Sequence, residues 1–375
     1  MTSLYIHIPF CLSKCHYCSF NSFISGQPLY GQYIAAVKSE LLQLTAREPL
    51  LRLDTLFIGG GTPTCLPASL LLGLLRLCFS LFPAGPEAEI SIEANPGTVD
   101  EKYLSQLLES GVNRLSVGVQ SFNDGELGLL GRLHSRREAC AAVAAAQRAG
   151  FTNINLDLMY GLPGQDAASW QRSLSTGLSL DPAHLSLYQL TIEPDTVFDR
   201  RVQEGSLVLP GEDEVLSMDA LTADLCRASC FNRYEISNYC REGFQCRHNI
   251  NYWRNGTYYG VGAGAVSYQN GVREKRTPSP GQYVRLILGE NSAVTEKERL
   301  TREESFRETV IMGLRMDEGV SREALLHRYD IDLSTYYGTT LEKLRLAGFV
   351  ELTASHLRIS EKGFPLSNRI MAELV

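Results

Sequence analysis

The chain has 375 residues, of which 44 % are hydrophobic and 21 % charged, with a formal net charge of −7. That length predicts one large α/β body with a smaller appended domain, and the negative charge opposes nonspecific binding to nucleic acid or anionic lipid. No apolar run reaches the length of a membrane span, and the Leu4-Tyr5-Ile6 start lacks a signal-peptide pattern, so the ten cysteines read as thiols of a reducing, cytoplasmic setting: free, catalytic or metal-bound.

Residues 4–8 read as a short buried strand that runs into His7-Ile8-Pro9-Phe10-Cys11-Leu12-Ser13-Lys14-Cys15-His16-Tyr17-Cys18. Three thiols within eight residues suggest a metal site. Structural zinc wants four ligands, commonly in two separated pairs, and there is no second knot nearby. The soft donor set suits an iron–sulfur cluster; zinc completed by His16 or His7, and a redox thiol group, also fit the spacing. A helix follows over 28–48, where Tyr33, Val37, Leu41 and Leu44 recur at helical spacing. A buried strand at 53–58 then runs into Gly59-Gly60-Gly61-Thr62-Pro63-Thr64, and residues 70–82 read as an amphipathic or buried helix. The glycines permit either close backbone approach to a ligand or a tight turn, and the Lys-Ser/Thr pair of a P-loop is absent.

Further strands are predicted at 89–93, 114–119, 153–159 and 184–190, separated by helices at 100–110, 136–149 and 167–180. Asp100 reads as a helix cap. Six strands that each feed a helix make a parallel sheet. A doubly wound sheet would gather its ligand at one switch point, but here nearly every strand ends in polar or glycine-rich residues: Cys11 to Cys18, Gly59 to Thr62, Glu93 to Pro96, Gln120 to Phe122 and Asp157 to Gly164. A partial (β/α)6 TIM-like barrel brings all of them to one mouth. Glu93, Gln120 and Asp157 gain weight as a group there, and Arg132 offers a fork for a carboxylate.

A helix at 215–230 and a strand at 233–236 cap or extend the barrel. Residues 238–268 are rich in aromatics and glycine, including His248-Asn249-Ile250-Asn251-Tyr252-Trp253 and Gly260-Val261-Gly262-Ala263-Gly264, and a polar stretch at 270–280 punctuates the chain. His248 is a candidate iron contact, heme iron included, or a hydrogen-bonded structural histidine. Cys240 and Cys246 with one histidine do not fill a structural metal site, while Cys65, Cys78, Cys140, Cys226 and Cys230 read as ordinary buried positions. Helices at 303–315, 322–329 and 333–347 and strands at 349–352 and 357–360 predict a C-terminal winged-helix-like α+β domain. Its slight acidic excess favours packing or partner docking over DNA reading. The expected division is 1–236 for the partial barrel, 237–300 for the aromatic extension and 301–375 for the C-terminal domain.

These pieces together resemble the radical S-adenosylmethionine (SAM) superfamily, and within it the HemW-type heme chaperones of the oxygen-independent coproporphyrinogen oxidase-like branch. The resemblance rests on Cys11-x3-Cys15-x2-Cys18 inside Tyr5-Ile6-His7-Ile8-Pro9-Phe10-Cys11, with Gly59 to Thr64, Ile92 to Pro96, Ser116 to Phe122, Leu130-Gly131-Arg132 and Asp157 to Gly164 in support. It implies that Cys11, Cys15 and Cys18 bind three irons of a [4Fe–4S] cluster. The fourth iron is left open for SAM, which an electron can cleave to methionine and a 5′-deoxyadenosyl radical. It further implies SAM contacts at Tyr5, Gly60, Gly61, Thr62, Glu93, Gln120, Arg132 and Asp157. Decarboxylating members carry another cysteine two residues beyond the third, where this chain has Phe20. His248-Asn249-x-x-Tyr252 looks like the HNxxY motif associated with heme binding. The resemblance therefore implies a heme chaperone that hands heme to client hemoproteins, with an electron donor if SAM is cleaved and a possible homodimer; the alternative is an oxygen-independent coproporphyrinogen III oxidase.

Overall fold

The computed structural model of the chain describes residues 1–24 and 27–375. In the first strand, β1 (Ser3–Ile8), Leu4, Ile6 and Ile8 are fully buried in the main hydrophobic core, while Ser3, Tyr5 and His7 take the opposite face by simple strand alternation. The strands that follow repeat this division. They are β2 (Leu53–Gly60), β3 (Ala84–Ala94), β4 (Arg114–Gln120), β5 (Asn153–Tyr160) and β6 (His184–Gln189), each parallel to its predecessor in chain order. Helices α1 (Gln27–Arg47), α2 (Ala68–Leu81), α3 (Glu101–Glu109), α4 (Asp124–Leu130), α5 (Arg136–Ala149) and α6 (Ala167–Ser179) lie between them, and Asp100 caps α3 by accepting from Tyr103 N at 2.7 Å. This is the expected partial barrel. Its strand register lines up two polar rungs across the inner face: Ser3, Thr55 and Glu89, then Ser116, Asn155 and His184.

Among the described residues the sheet does not close on itself. After α7 (Val197–Gln203) and α8 (Glu212–Ala228), the short strands β7 (Asn232–Arg233) and β8 (Asn238–Cys240) add antiparallel to the β6 edge. The strand expected at 233–236 is thus cut short. Glu235 turns into the interior, where its carboxylate accepts Ser237 N at 3.0 Å, and pairing resumes at Asn238. Helix α9 (Arg247–Trp253) follows, and β9 (Tyr258–Val261) then pairs in parallel with β1 on the other edge. Beyond it β10 (Val266–Gln269), β11 (Val272–Arg276) and β12 (Val294–Arg299) form an antiparallel meander, with α10 (Pro280–Glu290) between the last two. Twelve strands make this sheet among the described residues.

The meander corrects the reading of 270–280 as punctuation, because β11 occupies its centre. Its charges hid the strand. They face opposite charges on β12, in the pairs Arg273–Glu298 (2.8 Å), Lys275–Glu296 (3.2 Å) and Lys297–Glu274 (2.7 Å). Such half-exposed pairs stabilise little individually, but a charged edge discourages pairing with other chains. Cys230 is also corrected: it is exposed, in a left-handed turn (φ 61°) after α8, and Cys65 and Cys140 are half-buried.

The C-terminal module consists of α11 (Arg302–Gly313), α12 (Arg322–Tyr329) and α13 (Leu333–Leu346) with the small sheet β13 (Val320–Ser321), β14 (Val350–Leu352) and β15 (His356–Ile359). It has its own core, which includes Phe306, Val310, Leu325, Leu341 and Leu357. Helix α13 spends its apolar side on that core rather than presenting it outward. Among the described residues no helix is long and apolar enough to cross a membrane.

One buried ion pair fastens the meander to the barrel. Glu40 on α1 accepts from Arg276 Nε (2.9 Å), Tyr283 Oη (2.6 Å) and Gly262 N (3.0 Å), and both charged side chains are only 4 % exposed. Removing one member of such a pair strands the other charge in the interior. Glu40→Ala is expected to lower unfolding stability by about 3–5 kcal/mol in urea titrations, and Glu40→Gln with Arg276→Met together to recover most of that loss.

Candidate functional site

The mouth of the barrel is built by two backbones that touch. Gly61 N donates to Ile8 O (2.9 Å) and Thr62 N to Phe10 O (2.7 Å), so the glycine loop after β2 lies directly on the segment that leads into Cys11. A Cβ on Gly61 would strike the Phe10 backbone, and one on Gly60 (φ 112°) would strike the His7 imidazole. Glycine is needed here for close approach of chain to chain.

This contact carries the Thr62 hydroxyl to 3.6 Å from Cys11 Sγ, where it also accepts Asn95 Nδ2 at 2.7 Å. Asn95 Oδ1 in turn accepts Arg132 Nη2 (2.5 Å), which also donates to Gly118 O, while Arg132 Nη1 donates to Cys15 Sγ at 3.4 Å. Two of the three thiols are thereby joined through Thr62, Asn95 and Arg132. Cys11, Cys15 and Cys18 are all half-buried and free of disulfides. Burial pushes the Cys11 and Cys18 thiols up, and Cys15 adds to the shift of both, so several thiolates on this loop need cationic compensation. Of the two histidines in the zinc alternatives, only His7 has both ring nitrogens occupied. His16 Nδ1 lies 2.8 Å from Leu129 O and ties the loop to α4, while His7 is held between the Tyr5 hydroxyl (2.9 Å) and Asn21 O (2.8 Å).

The donor set fits a multi-iron cluster. Among the described residues no three Cys, His, Asp or Glu side chains close on a single ion, whereas a cluster gives each thiolate its own iron. Beside Cys15 lies a cavity of about 260 Å³ lined by Asn95, Thr98, Arg132 and His134. Glu93 accepts Gly60 N at 3.0 Å, and burial followed by the nearby Asp157 charge pushes its carboxyl up to about 7. Asp157, raised chiefly by burial, accepts Asn155 Nδ2 (2.8 Å) and Ser116 Oγ (3.1 Å). Gln120 adopts φ 69° at a register slip that ends β4, a strained position of the kind found at functional sites. Gly60, Gly61, Thr62, Glu93 and Gln120 lie at the C-terminal ends of their strands, Asp157 lies within the last half of β5, and Arg132 reaches the same region from the turn after α4. Tyr5 sits one rung deeper, beneath His7.

Sequence reasoning missed Asn95 and Arg114. Asn95 sat in a quoted motif, but only the fold shows it bridging Thr62 and Arg132. Arg114 opens an apolar strand, which was its one visible signal; it is buried inside the barrel near Glu89 and Asp157, with Nε unpartnered.

His248, Asn249 and Tyr252 lie on α9, at the opposite end of the barrel. The Glu89 carboxylate receives the start of this helix, accepting Arg247 N (2.8 Å), His248 N (3.2 Å) and the Cys246 thiol (3.4 Å). Negative charge at a helix N-terminus is favourable. The four-residue spacing puts His248 and Tyr252 on one helical face, and Tyr252 Oη lies 3.0 Å from His248 Nε2. Nδ1 lies 2.8 Å from Thr55 Oγ1, and the ring packs on Phe57 at 5.2 Å. His248 is only 1 % exposed, and burial, with Arg114 adding, pushes it down to about 3; it is a neutral imidazole with both nitrogens satisfied. Asn249 is half-buried beside it. Cys240 is buried in β8, away from any ligand set.

The profile of the radical SAM superfamily matches residues 5–176, and that of the HemN C-terminal domain matches 300–366. The heme chaperone HemW of Bacillus subtilis is 37 % identical over 99 % of this chain and 98 % of its own length. The chain belongs to the HemW family of the radical SAM superfamily. The HemW of Synechocystis is 40 % identical over 85 % of this chain and 79 % of its own. Among solved structures, the radical SAM enzyme coproporphyrinogen III oxidase (HemN) of Escherichia coli superposes with a TM-score of 0.86 at 26 % identity, covering 100 % of this chain and 89 % of that one. Family membership accounts for a mouth built around three thiols and for the module that follows residue 300.

The buried histidines set a pH dependence. His184 sits between Asn155 Oδ1 (2.6 Å) and Tyr234 Oη (2.8 Å), and burial holds it well below its usual range, as it does His248. Unfolding returns both to about 6.5, so the unfolded chain binds more protons at lower pH and stability falls as pH drops below that value. Between pH 7.5 and 5, His184→Gln should lose less stability than wild type in urea titrations of the metal-free protein, by roughly 2 kcal/mol.

Proposed function

We propose that the protein is a heme chaperone that binds a [4Fe–4S] cluster and SAM at the barrel mouth, binds heme, and passes heme to client hemoproteins. The observation that carries this reading is the full-length likeness to the Bacillus subtilis heme chaperone, which takes in the cysteine loop, α9 and the C-terminal module alike. The mouth supports it. Cys11, Cys15 and Cys18 would ligate three irons, and Arg132, already donating to Cys15 Sγ, offsets thiolate charge. Bound there, the cluster would supply an open iron and an electron for SAM cleavage.

The chain's own groups around that position are suited to SAM. Gly60 and Gly61 leave room along the backbone, Thr62 offers a hydroxyl, and Glu93 and Asp157 offer carboxylates for ribose hydroxyls or an ammonium group. Glu93 titrates near neutrality, so a cation bound beside it would hold it ionised. Gln120 and Arg132 complete the set, and Tyr5 backs His7 from below.

The structural likeness to coproporphyrinogen III oxidase is the observation that favours the second reading. Against it stands Phe20, which is 69 % exposed near the third cysteine, where decarboxylating relatives carry a thiol. In the heme reading, His248, Asn249 and Tyr252 are heme contacts. His248 is neutral, as an iron contact requires, but it meets iron only if α9 gives up the Tyr252 or Thr55 hydrogen bond.

Anaerobic purification with iron, sulfide and heme quantified on one sample tests both halves of the proposal. Wild type should carry cluster iron with absorption near ~400 nm, and Cys15→Ser should lose it. Heme titration should show binding that His248→Ala weakens, and coproporphyrinogen with SAM and reductant should yield no vinyl product. Vinyl product at turnover rates, with no heme bound, would replace the chaperone reading by the oxidase.

A further inference from the structure

With the barrel floor closed, His248 is out of reach of a porphyrin, yet the same short helix borders an open cleft on its other side. This cleft, of about 350 Å³, lies between the end of α9 and the C-terminal module. Trp253, Met316 and Leu325 give it an apolar floor, and Arg254 and Arg328 stand exposed at its rim. The volume is in the range of small-molecule sites.

His356 also lines it, half-buried at the start of β15. Ser321 pairs with it across the sheet, and its backbone N donates to Thr353 Oγ1 at 2.8 Å, so its position is fixed. Ser355 Oγ lies 3.0 Å from His356 Nδ1, and Nε2 has no partner within the described chain. A histidine whose Nδ1 is occupied and whose Nε2 is free is arranged as metal-binding histidines are. Two buried donors stand behind the floor without acceptors: Trp253 Nε1, and Nε of Arg315, whose guanidinium stacks on the Trp253 ring at 4.5 Å. Arg254 is paired with Glu318 (2.9 Å), but both are more than half exposed, so the pair is weak and a carboxylate can replace Glu318.

We propose that heme docks in this cleft while the barrel floor stays closed, with iron at His356 Nε2, the macrocycle edge on Trp253, Met316 and Leu325, and the propionates at Arg254 and Arg328. The inference rests on the heme reading above and locates the cargo. It also gives the C-terminal module a role in cargo binding. Trp253 follows Tyr252 on α9, so the heme site adjoins in the chain the residue whose hydroxyl meets His248.

The test is hemin titration of the full chain by absorbance, comparing wild type with His356→Ala and Ala324→Trp, the latter filling the cleft from the exposed face of α12. Both variants should weaken binding at least tenfold, and His356→Ala should also shift the Soret band; circular dichroism and melting should stay as in wild type. Arg254→Glu with Arg328→Glu should weaken binding and flatten its salt dependence. If wild type binds heme and His356→Ala and Ala324→Trp bind it equally well with an unshifted Soret band, the cleft is wrong and the chaperone reading stands. If wild type binds no heme, the chaperone reading fails and the cleft with it.

Discussion

A parallel sheet whose concave face carries hydrogen-bonding side chains must find a partner for each of them, and most of this structure follows from that constraint. The inner face presents Ser3, Thr55, Glu89, Arg114, Asn155 and His184, all nearly inaccessible to water. Unpaired, each would cost on the order of 1–3 kcal/mol. At the floor α9 meets the demand: its first amides satisfy Glu89, Asn251 donates to Ser3 Oγ at 2.9 Å, and His248 meets Thr55. Arg114 is the member left incompletely paired, with Glu89 and Asp157 as its charge partners.

At the mouth no helix among the described residues closes the barrel, and the polar groups are organised around the cysteine loop instead. What fixes the loop is backbone on backbone: the glycine segment after β2 on Ile8 and Phe10, and His16 N on Leu130 O at 3.0 Å. Rigid anchoring of this kind suits a cluster site, because thiolates must be held at set positions while their mutual repulsion is relieved by metal and by Arg132. Asn95 makes the arrangement cooperative. It is bonded to both Thr62 and Arg132, so the surroundings of Cys11 and Cys15 cannot change independently.

The two ends of the barrel are chemically distinct. The mouth has soft donors and largely buried carboxylates; the floor has a neutral histidine locked between two hydroxyls. The helix that seals the floor also forms one wall of the cleft against the C-terminal module. The two sites therefore share one short helix, with Trp253 at the cleft directly following Tyr252, whose hydroxyl meets His248.

The sequence by itself determined the unit that repeats. Alternating buried runs and amphipathic stretches predicted six parallel strands with their helices, and polar strand ends predicted the shared mouth with Cys11, Cys15, Cys18, Glu93, Gln120 and Asp157. Local pattern suffices there because strand and helix periodicities are set by neighbours in the chain. It failed where pairing is long-range. The charged strand β11 is stabilised by charges on β12 more than twenty residues away, α9 owes its N-terminal partner to Glu89 on a distant strand, and Asn95 acts through side chains it meets only in the folded barrel. The tertiary structure alone decided that His248 is closed off and His356 is open. Both are single histidines in sequence, and only burial and occupied ring nitrogens tell them apart.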